Sequence, residues 1–207
     1  EQDRLCLAIL ACTGARLDEI ALLQWDQFES GQTKDGDTIH WLDTTEAIVK
    51  NDPSRRLIPL LPRVAKMIEA HPKGLNKKEP DRLFSYGRDK RDGKAENKAS
   101  LALMKHLRKI NKSDKTFAVH GLRHTFTTMC RTEKVDWEMR EFIMGRGGRG
   151  EGANYGKPAH VKTSLESIKE IDTSFLDGML AIEKQSNKPY QMVSGWMGKK
   201  VDTGGGD

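Results

Sequence analysis

The chain has 207 residues, and its hydrophobic fraction of 36% and charged fraction of 31% are typical of a globular protein. This length predicts one sizeable domain with a proper hydrophobic core, with or without short appendages. No run of residues approaches the roughly 18 apolar positions that a membrane-spanning helix needs, which argues against an integral membrane protein. The formal net charge of +5 permits a polyanionic partner but does not establish one.

Cysteine usage favours a reducing compartment. The chain has three cysteines, an odd number, and none of them forms a Cys-x-x-Cys pair. Cys6 and Cys12 lie in an apolar helical stretch, so we expect buried free thiols rather than disulfides or a zinc site. The charged first residues argue against a signal peptide. We therefore expect a cytoplasmic protein without cofactor, and the missing initiator methionine suggests a fragment of a longer one.

The N-terminal residues predict two helices that meet at a corner. Residues 4–12 place apolar side chains on one helical face, and Gly14 interrupts the pattern. Asp18 and Glu19 suit the first turn of a second helix, where carboxylates interact favourably with the helix dipole. Its apolar positions are Leu17, Ile20, Leu23 and Trp25. Arg16 would therefore lie between the two helices, at a rigid place for a guanidinium group.

Residues 30–60 predict a small antiparallel sheet. Glycine, Asp-Gly and Asp-Pro turn signals divide this region into three short runs, at 38–42, 47–49 and 56–59. We interpret these runs as three strands joined by hairpins. Lys50 would then lie at the tip of the second hairpin, on a mobile element.

The rest of the chain is predicted to be mainly helical, over residues 62–70, 99–110, 120–133, 137–144 and 160–183. Residues 72–98 are polar and rich in turn signals, which predicts a long loop anchored by Leu83 and Phe84. Residues 145–152 hold five glycines and predict a flexible loop. The predicted fold is therefore mainly α with a small three-stranded antiparallel sheet, in one domain over residues 1–183, followed by a flexible tail at 184–207.

A spaced set of cationic residues could hold one phosphodiester. Arg16 and Arg123 are the candidates for its nonbridging oxygens, because the planar guanidinium group donates paired hydrogen bonds and stays charged. Lys50 could protonate the leaving 5′ oxygen, and Lys34 is a weaker candidate for that role. Preorganised donors of this kind commonly supply the largest catalytic contribution.

Three further residues complete the predicted chemistry. Tyr155 would be the nucleophile, since nearby positive charge favours its phenolate form. His120 lies three residues before Arg123, and it can accept or donate a proton near neutral pH. Arg146 could donate to a phosphate oxygen but cannot shuttle a proton near pH 7. No metal-binding cluster stands out, so the predicted chemistry is metal-independent.

At these residues the chain resembles the catalytic domain of the tyrosine recombinases, the phage integrase family. Residues 13–20 (TGARLDEI) are similar to the first arginine box of the family. Lys50, followed by Arg56 and the 59–60 Pro-Leu pair, is similar to its β-hairpin lysine segment. Residues 120–126 (HGLRHTF) match its His-x-x-Arg box, and Tyr155 follows Arg146 at the spacing of the final nucleophile. The resemblance covers most of residues 1–180.

The resemblance implies cleavage and rejoining of double-stranded DNA through a 3′-phosphotyrosine link, without ATP. It also implies a homotetramer on paired DNA sites, with the helix after Tyr155 packing into a neighbouring protomer. A DNA-clamping N-terminal domain would precede this one. DNA integration and recombination, including viral genome integration in a bacterial or phage-infected cell, would be the biological setting.

One position departs from the family, which usually has His or Trp where this chain has Arg146. The departure fits a tolerated variant that supports the phosphate, and it equally fits reduced activity. Two alternatives therefore stay open: a type IB topoisomerase that relaxes DNA, and a DNA-binding module with impaired catalysis. The DNA target and the choice among integration, excision and chromosome resolution stay open as well.

Overall fold

The computed structural model describes residues 1–45, 55–110, 118–146 and 157–180. Within these ranges the chain forms helices α1 (Gln2–Thr13), α2 (Leu17–Ala21), α3 (Pro62–Glu69), α4 (Glu96–Ile110), α5 (Gly121–Thr132), α6 (Trp137–Met144), α7 (Lys157–Ile168) and α8 (Phe175–Leu180). The strands are β1 (Phe28–Gln32), β2 (Thr38–Asp43) and β3 (Leu57–Leu60). The prediction of a mainly α fold with a small three-stranded sheet is thus confirmed. None of the described helices is long and apolar enough to cross a membrane.

Helix α1 lies at the centre of the core. Every residue from Leu5 to Thr13 is buried, and the helix contacts α2, α3, α4, α5 and β3. A helix that is enclosed on all sides in this way must be apolar around its whole circumference, which its sequence LCLAILACT satisfies. Because neighbours enclose α1, the residues that follow its C-terminus are held firmly in place. Cys6 and Cys12 are buried free thiols, as predicted, and Cys130 is buried and free as well.

The sheet has the order β1-β2-β3, and both pairs are antiparallel. The predicted strands at 38–42 and 56–59 correspond to β2 and β3. Strand β1 was not predicted, because its sequence FESGQ lacks a regular apolar alternation and it lies at the sheet edge with partly exposed side chains. The predicted strand at 47–49 and the hairpin tip at Lys50 lie outside the described residues.

Two predicted helices are shorter in the structure. The second helix ends at Ala21, and Trp25 instead begins a 3₁₀ turn that leads into β1. The helix predicted over 160–183 is wrong as a single element, because it is divided into α7 and α8. Asp172 explains the interruption: its Oδ1 accepts a hydrogen bond from the Ser174 backbone nitrogen at 2.8 Å. Such side-chain acceptors compete with the helical hydrogen bonds and favour a new helix start.

The chain divides into two compact units after Ile171. In the first unit, α7 packs on the sheet, where Val161 joins a buried cluster with Ile39, Trp41 and Leu57. Of the second unit, the structure describes residues 172–180, which include α8. The tail predicted at 184–207 lies outside the described residues.

The long loop between α3 and α4 is anchored as predicted, since Leu83 and Phe84 are both buried. The neighbouring Arg82 is buried too, and it donates hydrogen bonds to the carbonyls of Ala21 at 2.6 Å and Tyr86 at 2.9 Å. This arginine therefore ties the loop to the C-terminal end of α2, whereas Arg16 lies at the N-terminal end.

Candidate active site

Gly14 shapes the corner between α1 and α2. Its φ of 60° is left-handed, and a Cβ at this position would lie 2.6 Å from Cδ1 of Phe126. The carbonyl oxygen of Gly14 accepts a hydrogen bond from Nη1 of Arg123. Carbonyls at a helix C-terminus lack partners within the helix and carry partial negative charge, so they suit a guanidinium group. The close approach that glycine permits thus brings α5 and Arg123 against the end of α1.

Arg123 has a buried side-chain donor without a hydrogen-bond partner among the described residues. The residue lies in the first turn of α5 and is only 4% exposed, and its Nη2 is buried without a hydrogen-bond partner among the described residues. Burial, followed by the charges of Arg146 and Arg16, lowers the pKa of Arg123 to about 10. A buried charged donor without an acceptor is costly. Among the described residues, Nη2 of Arg123 therefore lacks the acceptor that would offset this cost.

Arg16 lies at the N-terminus of α2 and is held by Glu19 from the same helix. The Glu19 carboxylate accepts the Arg16 backbone N–H at 3.1 Å through Oε2, and it pairs with Nη1 of Arg16 at 3.2 Å through Oε1. Nη1 also donates to the Gly145 carbonyl at 3.3 Å. The Arg16 side chain is 26% exposed. It is therefore fixed in direction and still accessible.

Arg56, directly before β3, contacts the same carboxylate from inside the protein. Its Nη2 lies 3.2 Å from Oε2 of Glu19, and its Nε donates to the Ile143 carbonyl at 2.8 Å. Burial lowers the pKa of Arg56, and the adjacent Glu19 opposes that shift. Neither Glu19 nor Arg56 was predicted from the sequence as a site residue. Glu19 could have been recognised from the sequence. It lies three residues after Arg16, the N-cap residue of α2, and a glutamate at that position is typical of a capping box.

His120 directly precedes α5 and is exposed. Partial burial, and then the charges of His124, Arg123, Arg146 and Arg16, lower the pKa of His120. Its ring packs edge to face on His124, with 5.6 Å between centroids. The lowered pKa of His120 favours the neutral imidazole, which can accept a proton at one ring nitrogen.

Arg16, His120 and Arg123 line one open cavity of about 550 Å³. The cavity continues along α4, where Arg108 adds positive charge to its wall, as does Lys94 just before the helix. Three of the predicted site residues, which lie up to 107 positions apart in the sequence, are therefore brought together in one cleft. Asp18 and Glu96 also line the cavity and offset part of this charge.

Arg146 is exposed and follows the C-terminal glycine of α6. Its charge contributes to the lowered pKa of both Arg123 and His120, so it lies within electrostatic range of the cleft. Lys50 and Tyr155 lie outside the described residues. In the described ranges, no group of three or more His, Cys, Asp or Glu residues could hold a metal ion.

Solved structures similar to this chain include three of integrases. The integrase from mycobacterium phage Brujita matches at 18% identity with a TM-score of 0.49, over 87% of this chain and 56% of that one. Two structures of the Tn1549 transposon integrase in complex with circular intermediate DNA match over 86% of this chain. One has 17% identity, a TM-score of 0.46 and 57% of its length covered. The other has 16% identity, a TM-score of 0.41 and 59% covered.

This chain thus spans 56–59% of the length of the integrases it matches. No family model and no curated protein matches the chain.

Proposed function

We propose that this chain is the catalytic domain of a tyrosine recombinase that cleaves and rejoins double-stranded DNA in DNA integration and recombination. The observation that carries the proposal is the buried, unpartnered Nη2 of Arg123 in a cleft shared with Arg16 and His120. A phosphodiester would supply the missing acceptor, and its negative charge suits the two arginines that line the cleft. The order and spacing of the sequence motifs support the same conclusion.

The proposed reaction is a transesterification at phosphorus. The phenolic oxygen of Tyr155 attacks the phosphorus atom, and the bond from phosphorus to the 5′ oxygen breaks. Lys50 gives a proton to that leaving oxygen, which becomes a free 5′ hydroxyl. Arg16 and Arg123 stabilise the charge that develops on the nonbridging oxygens. One phosphoester bond replaces another, so no ATP is consumed, and attack by a 5′ hydroxyl on the 3′-phosphotyrosine reverses the step.

His120 and Arg146 have supporting roles in this proposal. Neutral His120 can accept the proton of the Tyr155 phenol or hydrogen-bond a phosphate oxygen. Arg146 donates to a phosphate oxygen in the place where the family usually has His or Trp. Assembly of four protomers on paired DNA sites, through the helix after Tyr155, is part of the proposal. An N-terminal DNA-clamping domain would complete the longer protein.

A covalent trapping experiment tests the proposal. Nicked duplexes of randomised sequence are incubated with the protein, and complexes that survive denaturing electrophoresis are collected and sequenced. We expect a covalent protein–DNA complex that is lost in Tyr155→Phe and retained in Tyr190→Phe, a matched control. Equal trapping by Tyr155→Phe would show that the nucleophile is wrong.

The same preparation separates the alternatives. Relaxation of a supercoiled plasmid by dilute monomeric protein would favour a type IB topoisomerase. Salt-dependent DNA binding with no covalent complex from any duplex in the library would favour a DNA-binding module with impaired catalysis.

A further inference from the structure

Arg16, Glu19 and Arg56 form a chain of three charges that leads from the interior to the cleft. The Glu19 side chain is 1% exposed and lies between the two arginines, with a 3.2 Å contact to each. The Arg16 side chain reaches the cleft, whereas Arg56 is only 3% exposed and is not among the residues that line the cavity. Arg56 therefore does not face this cavity, and it would act on a ligand there through Glu19 and Arg16.

The charges of Arg16, Glu19 and Arg56 do not cancel. Arg16 and Glu19 alone would be a neutral pair, and the carboxylate would compete with a substrate anion for the Arg16 guanidinium. Arg56 brings the net charge of the group to +1. Because arginine retains its proton in proteins, that charge persists despite the burial of Arg56.

The backbone of α6 fixes the geometry of the group. Nε of Arg56 donates to the Ile143 carbonyl at 2.8 Å, and Nη1 of Arg16 donates to the Gly145 carbonyl at 3.3 Å. Both arginines are thus attached to the C-terminal turn of α6, with Glu19 between them. A shift of Arg56 would move the carboxylate, and with it the hydrogen bonds that direct Arg16.

We propose that Arg56 is a positioning residue of the phosphate site: it neutralises Glu19 from behind and so leaves the charge of Arg16 available to a phosphate in the cleft. The inference rests on the proposed function, because it assumes that the cleft binds the phosphate of a nucleic acid. Arg56 does not touch the substrate, and it acts by setting the charge and direction of Arg16.

Two single variants with opposite charge changes test the inference. Arg56→Met lowers the net charge of the group from +1 to 0, and Glu19→Gln raises it from +1 to +2. Each variant removes the buried ion pair between Arg56 and Glu19, so both lower stability. Affinity for inorganic phosphate is measured by ³¹P NMR titration at constant ionic strength. We expect Arg56→Met to bind phosphate roughly tenfold more weakly, the effect of one unit charge about 10 Å away at an effective dielectric constant of ~20.

The phosphate affinities of Arg56→Met and Glu19→Gln should differ. Glu19→Gln should bind phosphate at least as tightly as the parent, although it is also destabilised. Arg56→Lys keeps the charge and should retain affinity within about threefold, and the double variant Arg56→Met/Glu19→Gln restores a net charge of +1 and should recover the loss. Lys66→Met, which removes one exposed charge elsewhere, should not change the affinity.

If Arg56→Met and Glu19→Gln weaken phosphate binding equally, Arg56 is merely structural and the inference is overturned. The proposed function would stand in that case, because covalent trapping through Tyr155 does not depend on this comparison. If the parent protein forms the covalent complex but the two variants lose phosphate affinity equally, only the inference is refuted. A parent that binds no phosphate and traps no DNA refutes both.

Discussion

Substitution of Gly14 by alanine tests how the corner between α1 and α2 holds the site together. The φ of 60° costs an alanine about 1–2 kcal/mol, because its Cβ approaches the following carbonyl. The new Cβ would also lie 2.6 Å from Cδ1 of Phe126 and 3.1 Å from Cε and Cγ of Met144. Phe126 is fully buried and cannot withdraw, so overpacking adds about 1–3 kcal/mol. We expect Gly14→Ala to lower the free energy of unfolding by about 2–5 kcal/mol.

Gly74→Ala is the matched control. Gly74 has a φ of 72°, but a Cβ there would meet nothing within 4 Å. It should therefore cost about 1–2 kcal/mol, for backbone strain alone. Urea unfolding followed by circular dichroism gives both values. Equal losses for the two variants, within about 0.5 kcal/mol, would refute the packing argument. Because the Gly14 carbonyl holds Arg123, phosphate affinity should fall in Gly14→Ala and not in Gly74→Ala.

Three further predictions concern charge and burial. Arg146→His introduces, at an exposed position, a residue that is usual in the tyrosine recombinases. Covalent trapping of DNA should therefore be retained or increased. Complete loss of trapping would assign Arg146 a specific role. Burial lowers the pKa of His71 and of His160, so the unfolded chain binds more protons once the pH falls below about 6.5. The urea midpoint should therefore decrease from pH 7 to pH 5, and the decrease should be smaller in His71→Phe/His160→Phe; an unchanged profile would contradict this assignment. Burial raises the pKa of each of the three cysteine thiols to about 12, so iodoacetamide at pH 8 should alkylate them slowly in the native protein and rapidly in urea, as measured by mass spectrometry.

Elements with local signals were predicted well. Helix α6 has the bounds predicted for it, because Asp136 caps its N-terminus by accepting from two backbone nitrogens and Gly145 ends it with a φ of 67°. Helix α3 likewise begins at Pro62, where proline favours the first turn. These signals lie within a few residues of the helix ends, so they can be recognised without knowledge of the tertiary structure.

Elements that depend on distant partners were predicted poorly. Strand β1 has a weak pattern of its own and is defined by its pairing with β2, in which Phe28 lies opposite Leu42. The interruption between α7 and α8 arises from a short polar segment inside a regular apolar pattern, and the periodicity alone did not reveal it. In both places a tertiary contact or a local side-chain hydrogen bond outweighed the average pattern.

The sequence by itself determined the residue types of the candidate site, because motif spacing identifies Arg16, His120 and Arg123 without any coordinates. It also determined the helical character of the chain through apolar periodicity. Only the tertiary structure decided how those residues are held. Arg123 meets the Gly14 carbonyl across 109 positions, and Arg56 meets Glu19 across 37. Such pairings are properties of packed helix ends, and no local pattern in the sequence encodes which buried carbonyl or carboxylate a given arginine will meet.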